Sequence, residues 1–157
     1  MVSTNWCLKQ KKGIKLIDPN ENISESYIKL AENSIGTMNR EKDKNMVFSV
    51  SAGYYSMYYS IYSIMMKIGI KCEIHQCSIN FMEKFLYEFY SKRQINQINS
   101  AFKLRNLVQY YVDKVIDKNE INNLVKNVPE FVEHSKTVLS SINQAKIFEL
   151  RKKLEGK

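Results

Sequence analysis

Along most of this 157-residue chain, apolar positions recur at steps of three and four, the period of an amphipathic helix. After the breaker 18-DPN-20, residues Ile23, Tyr27, Leu30, Ile35 and Met38 trace such a face. They predict a helix over 23–39, capped by Asn22 or Ser24. The polar link 40-REKDKN-45 follows. From 46 to 68 the pattern changes, because the segment is apolar nearly all round and stops at Gly69. Such a helix belongs in the middle of a bundle. Ser49, Gly53, Ser56, Ser60 and Ser63 repeat at steps of 4, 3, 4 and 3, so they share one seam that lets another helix come close. The spacing does not say whether that helix lies in the same bundle or in a second subunit. Tyr54, Tyr58, Met65 and Tyr55, Tyr59, Tyr62 occupy the other faces, and their hydroxyls need partners.

The connection 70-IKCEIHQCS-78 leads to a helix predicted over 78–91 through Ile79, Met82, Phe85, Leu86 and Phe89. A fourth is predicted over 94–117, and a fifth from near Asn119. That helix meets Pro129, which kinks a helix or begins a new one. Helical spacing continues over 129–154 through Phe131, Val138, Leu139, Ile142 and Leu150. No segment alternates convincingly as a strand, and no repeat is visible. Five Gly and two Pro leave few places for turns. The expectation is an all-α protein, an up-and-down bundle of four to five helices forming one domain over 1–157. Residues 1–21 are expected to be an N-terminal arm and 141–157 a basic C-terminal helical tail.

Composition narrows this only slightly. Hydrophobic residues make up 44% and charged residues 25%, as in ordinary globular proteins. The net charge of +8 permits RNA, DNA or an acidic partner, and serves solubility equally well. The lysines are scattered, with the densest runs at 9-KQKKGIK-15 and 151-RKKLEGK-157. The 22 residues from Asn45 to Met66 carry no charge and are long enough to span a bilayer. Their five serines and five tyrosines argue for a buried helix and no membrane contact. Three cysteines, an odd number without framework spacing, point to a reduced, cytoplasmic setting. The start 1-MVSTNWCLKQKKG-13 lacks the apolar run of a signal peptide. Cys72, His75 and Cys77 lie close in sequence, but C-x-x-H-x-C is not a standard zinc spacing, and a fourth ligand such as Cys7 would have to come from afar. The expectation is no metal, with His75 capping or bonding the start of the third helix and the cysteines packing as small apolar residues. No Gly-rich loop cradles a phosphate, and no cofactor is expected.

One residue breaks the pattern. On a helical wheel of about 100° per residue, Ile98, Ala101, Phe102, Leu104, Leu107, Val108, Tyr111, Val112, Val115 and Ile116 cover one broad arc. Arg105 falls inside that arc, with Gln109 one turn further on, whereas Tyr110 falls on the polar side. Desolvating an unpaired arginine costs several kcal/mol, so Arg105 needs a partner, a wet cleft or an interface. Either a carboxylate from another helix locks it into the bundle, or it faces a phosphate-bearing ligand.

Three segments carry a family resemblance. The helix 52-AGYYSMYYSIYSIMMKIGIK-71, with a small residue, paired tyrosines and an aliphatic run, is followed by 72-CEIHQCSI-79 with its histidine, and then by 105-RNLVQYYVD-113. Together they resemble the HEPN domain (higher eukaryotes and prokaryotes nucleotide-binding) over roughly residues 5–140. The resemblance implies a homodimer with the fourth-helix arginine near the dimer cleft. It also implies a nucleotide- or RNA-binding module, with Arg105, Gln109, Tyr110, Tyr111 and His75 as binding residues. Such modules pair with a minimal nucleotidyltransferase in toxin–antitoxin-like systems, and some of those enzymes modify a tyrosine near the arginine, here Tyr110 or Tyr111. Other members are metal-independent ribonucleases that use Arg, a polar residue and, about a turn later, His. Arg105 and Asn106 match that pattern, but Tyr110 stands where the histidine is expected. Tyrosine, with a pKa of about 10, is a poor general base at neutral pH, which leaves a weak ribonuclease as the alternative. A purely structural dimerisation protein, with Arg105 in a buried ion pair, is the third reading.

Overall fold

The computed structural model describes residues 2–111 and 116–156. Those residues form seven helices and one short strand pair: α1 Thr4–Lys9, β1 Lys15–Leu16, α2 Glu21–Glu41, α3 Met46–Ile68, β2 Ile70–Lys71, α4 His75–Phe85, α5 Lys92–Tyr110, α6 Lys118–Ser141 and α7 Gln144–Glu155. The protein is all-α, as the periodicity implies. The strands are antiparallel, with Lys15 opposite Lys71 and Leu16 opposite Ile70, and are too short for their alternation to be read.

α3 is the buried centre. Asn45 caps its start by accepting from the Phe48 N–H at 3.3 Å. Gly69 ends it at φ 84°, a left-handed conformation suited to glycine. The small-residue stripe divides into two seams of seven-residue period, and both lie inside the bundle. Ser49, Ser56 and Ser63 meet α2, where they donate to the carbonyls of Met38 at 3.0 Å, Ala31 at 2.7 Å and Ser24 at 2.7 Å. The donors climb α3 by seven as the acceptors descend α2 by seven, so the two helices run antiparallel in fixed register. Only small side chains let the backbones approach closely enough for a serine hydroxyl to reach across. Gly53 and Ser60 face α6. A Cβ at Gly53 would lie 2.9 Å from Met38 Sδ and 3.3 Å from Leu124 Cδ2. Ser60 Oγ lies 3.1 Å from Ser135 Oγ, which also accepts from the Tyr90 hydroxyl at 2.9 Å.

This packing corrects the expected face of α2. Ser24, Ala31 and Met38 are its buried line, whereas Ile23 and Leu30 are each 42% exposed. At Ser24 and Ala31 the seam takes small residues, while Ile23 and Leu30 fall on its flanks. The cap is Asn20, which accepts from Ile23 N–H at 2.9 Å, and not Asn22 or Ser24. α4 begins earlier than expected and stops at Phe85. α5 begins at a capping box of Ser91 and Gln94 and ends at Tyr110, short of the expected 117. Val112, Asp113, Lys114 and Val115, counted in that helix by periodicity, lie outside the described residues. Pro129 sits inside α6, which continues through it.

The two ends are integral to the fold. In the arm, α1 is bonded to α4 by a Cys7–Cys77 disulfide, and Thr4 donates to Asn80 Oδ1 at 2.9 Å. This overturns the reading of the cysteines as small apolar fillers without disulfides, because only Cys72 remains a free, buried thiol. Cross-linking residues so far apart in sequence restrains the unfolded chain. In the tail, α7 buries Ile147, Leu150 and Leu154. Arg151 donates to the carbonyls of Ile17, Ile68 and Gly69 at 2.7–3.1 Å, and Lys146 and Lys153 pair with Glu88 and Glu149. Much of that basic run is thus committed to structure. Among the described residues no helix is long and apolar enough to cross a membrane.

Gly53→Leu is expected to lower unfolding stability by about 2–3 kcal/mol, because the core is overpacked on two sides. Denaturant titration of the folded variant measures this. A stripe that faced solvent or a second subunit would leave monomer stability unchanged.

Candidate functional site

With its small seams taken by α2 and α6, α3 turns Tyr54, Tyr55 and Tyr58 towards α4 and α5, while Tyr59 and Tyr62 pack on Tyr27 of α2. α5 crosses that face antiparallel to α3. Gln109 donates to Ser51 Oγ at 3.0 Å, and one turn away Arg105 Nη2 donates to the Tyr55 hydroxyl at 3.0 Å. Steps of four on each helix place both contacts on one line. Further along, Phe102 packs on Tyr54, with ring centroids 5.6 Å apart. His75, the first residue of α4, completes the group. Its ring stacks on Tyr58 at 4.3 Å, and its Nδ1 lies 2.5 Å from the Tyr54 hydroxyl.

Arg105 is half-buried. Its Nη1 donates to Asn106 Oδ1 at 2.9 Å. The guanidinium carbon lies 5.5 Å from the Tyr55 ring centroid and 5.9 Å from that of Tyr110, within reach of cation–π attraction. Its Nε is buried without a hydrogen-bond partner among the described residues. Among the described residues no carboxylate pairs with it. The expected ion-pair lock is therefore not formed by any of these residues, and neutral tyrosine and asparagine oxygens hold the charge in place.

The surroundings favour an anion. α5 carries Lys92, Arg93, Lys103 and Arg105 without one Asp or Glu, and the only charge on α3 is Lys67. Burial pushes the phenols of Tyr54 and Tyr58 well above their ordinary range, so neither supplies negative charge. Burial first, and then the Arg105 charge, pulls His75 below the usual histidine range.

Arg105, Asn106, Gln109 and Tyr110 thus share one end of α5, where Tyr110 is 69% exposed. Tyr111, placed on the apolar arc by the wheel, is the C-cap residue and half-exposed. His75 joins the group because its ring meets that of Tyr55 at 5.9 Å. It does not cap α4, whose N-cap is Ile74 without a side-chain bond. Sequence reasoning treated Tyr54 and Tyr55 as core and missed their part in holding His75 and Arg105. The available signal was the adjacent phenol pair opposite an arginine on the apolar face. The disulfide takes the sulfurs of Cys7 and Cys77 out of any thiolate set with Cys72 and His75. Compared with protein-family models and with curated proteins, the sequence finds no match.

The depressed His75 pKa has a consequence for stability. Below its unfolded value of about 6.5, the unfolded chain binds a proton that the folded chain resists. Stability is therefore full above that range and falls as pH drops through it. Denaturation between pH 7.5 and 5.5 is expected to show this loss in the wild type, and less of it in His75→Gln.

Proposed function

We propose that the protein is a HEPN-like module that binds phosphate-bearing nucleotide or RNA at the end of α5, as the partner of a minimal nucleotidyltransferase in a toxin–antitoxin-like pair. The observation that carries this reading is an arginine on an apolar face, held by neutral oxygens, on a helix pair that contributes no carboxylate. A guanidinium so held keeps its charge for an incoming anion. Tyr110 offers an exposed ring for base stacking beside it, and Gln109 a tethered amide. The proposal includes a homodimer formed at this end of the bundle. It is supported by the exposure of Met46, Val47 and Phe48 at the start of α3 (39%, 37% and 62%) and of Tyr110 at the end of α5, since exposed apolar side chains grouped on a surface mark contacts. It also includes a cytoplasmic location, against which the Cys7–Cys77 disulfide counts, since reducing compartments seldom keep such bonds. Arg105 with Asn106 and Tyr110 would equally serve a weak metal-independent ribonuclease.

Fluorescence anisotropy with a short labelled oligoribonucleotide at low salt tests the binding. The wild type is expected to bind and Arg105→Ala to bind at least about tenfold more weakly, the loss of one charge-assisted contact. Equal binding by the folded variant, or none by the wild type, would contradict the proposal. Metal-free cleavage of the same RNA by the wild type would move the assignment to the ribonuclease reading.

A further inference from the structure

We infer that His75 is a second ligand-facing donor of this site, fixed by Tyr54 as a neutral ring with its proton on Nε2, and that it holds a phosphate oxygen without moving a proton. The inference rests on the reading of the α5 end as a phosphate site.

The argument starts from Tyr54. Its side chain is wholly buried, so its hydroxyl proton cannot go to water and needs an acceptor. Among the described residues the acceptor within reach is His75 Nδ1. A ring nitrogen that accepts carries no proton, so in the neutral ring the proton sits on Nε2. Protonating the ring would turn Nδ1 into a donor facing a donor and strand the Tyr54 proton. The groups around the ring add to this. Tyr54, Tyr55 and Tyr58 face it from α3, and Arg105 acts on it from α5 beside the uncharged Phe102. No carboxylate among the described residues is placed to stabilise an imidazolium.

Nε2 has the opposite character. His75 is half-buried, and no described residue hydrogen-bonds its Nε2, which leaves that nitrogen for a ligand. The His75 ring and the Arg105 guanidinium lie 5.9 Å and 5.5 Å from the centroid of the same Tyr55 ring. Two donors thus flank one phenol, one charged and one neutral. With Nδ1 occupied and Nε2 protonated, His75 has no free basic lone pair with which to take a proton from a ribose hydroxyl. Tyr54 is then a positioning residue that sets the donor nitrogen.

The probe is a 2′-O-methyl hexa-adenylate with hydroxyl ends. It cannot be cleaved through its own 2′-oxygen, and none of its phosphodiesters titrates near neutral pH. Wild-type affinity is expected to stay flat between about pH 6 and 8. His75→Gln, whose amide nitrogen can stand in for Nε2 but cannot titrate, should bind within about threefold of the wild type, and His75→Ala about tenfold more weakly. Tyr54→Phe, checked for intact helicity, should acquire a pH dependence, binding more tightly at the acidic end as the released ring gains a proton. ¹⁵N spectra of the free protein at neutral pH should show the Nε2–H tautomer. If His75→Ala binds like the wild type, or His75→Gln is as weak as His75→Ala, the inference falls while the phosphate site stands. An imidazolium or an Nδ1–H tautomer in the free protein also overturns it. If the wild type does not bind the probe, the phosphate reading falls and this one with it.

Discussion

The close antiparallel pairing of α2 and α3 is the constraint on which the rest of the structure depends. Three serine hydroxyls cross from α3 to α2 carbonyls at seven-residue intervals. That geometry needs the small residues that α3 presents throughout and α2 presents at Ser24 and Ala31. It fixes the rotation of α3 about its own axis, and from that rotation the rest follows. Gly53 and Ser60 must face α6, and Tyr54, Tyr55 and Tyr58 must face α4 and α5. A helix this buried and uncharged has hydroxyls to satisfy on every side. Each seam does so differently, with Ser49, Ser56 and Ser63 bonding to backbone on one side and the phenols of Tyr54 and Tyr55 bonding to side chains on the other.

The phenol side is where packing becomes chemistry. Tyr54 and Tyr55 are adjacent in sequence, yet one hydroxyl meets His75 and the other meets Arg105. Neutral oxygens orient a cation without cancelling it, whereas a carboxylate would have orientated and neutralised it together. The scarcity of acid on α3 and α5 keeps the neighbourhood positive. The lysines at the two ends of the chain differ in this respect. Lys12 reaches Glu73, and Lys146 and Lys153 reach Glu88 and Glu149, so the densest basic runs are poorer candidates for an anion surface than the less conspicuous α5.

The bounds of α3 were legible in the sequence, because an asparagine cap, an unbroken apolar run and a terminal glycine mark a helix locally. The anomaly of Arg105 was equally plain, since it needs only the helical period. What surrounds Arg105 was not. That Tyr55 is its partner depends on the antiparallel register of α3 against α5, a relation between segments fifty residues apart. The Cys7–Cys77 bond was hidden for the same reason, at a separation of 70 residues. Side-chain size misled the reading of α2, where Ile23 and Leu30 look like core and Ser24 and Ala31 do not. There a hydrogen-bonded seam of small residues outweighs the burial of larger ones. α5 ends at Tyr110 although apolar spacing continues beyond it, so periodicity overran the helix.

The central claim is that Arg105 is held ready for an anion and is not a tie that keeps the bundle together. The unfolding free energy of Arg105→Met, which keeps the length of the side chain and removes the charge, tests it most directly. Stability equal to or above that of the wild type is expected, since a charge withdrawn from water without an acid partner among the described residues is replaced by an apolar chain. A loss of about 3–5 kcal/mol, the size associated with breaking a buried ion pair, would contradict the claim and make Arg105 a structural residue.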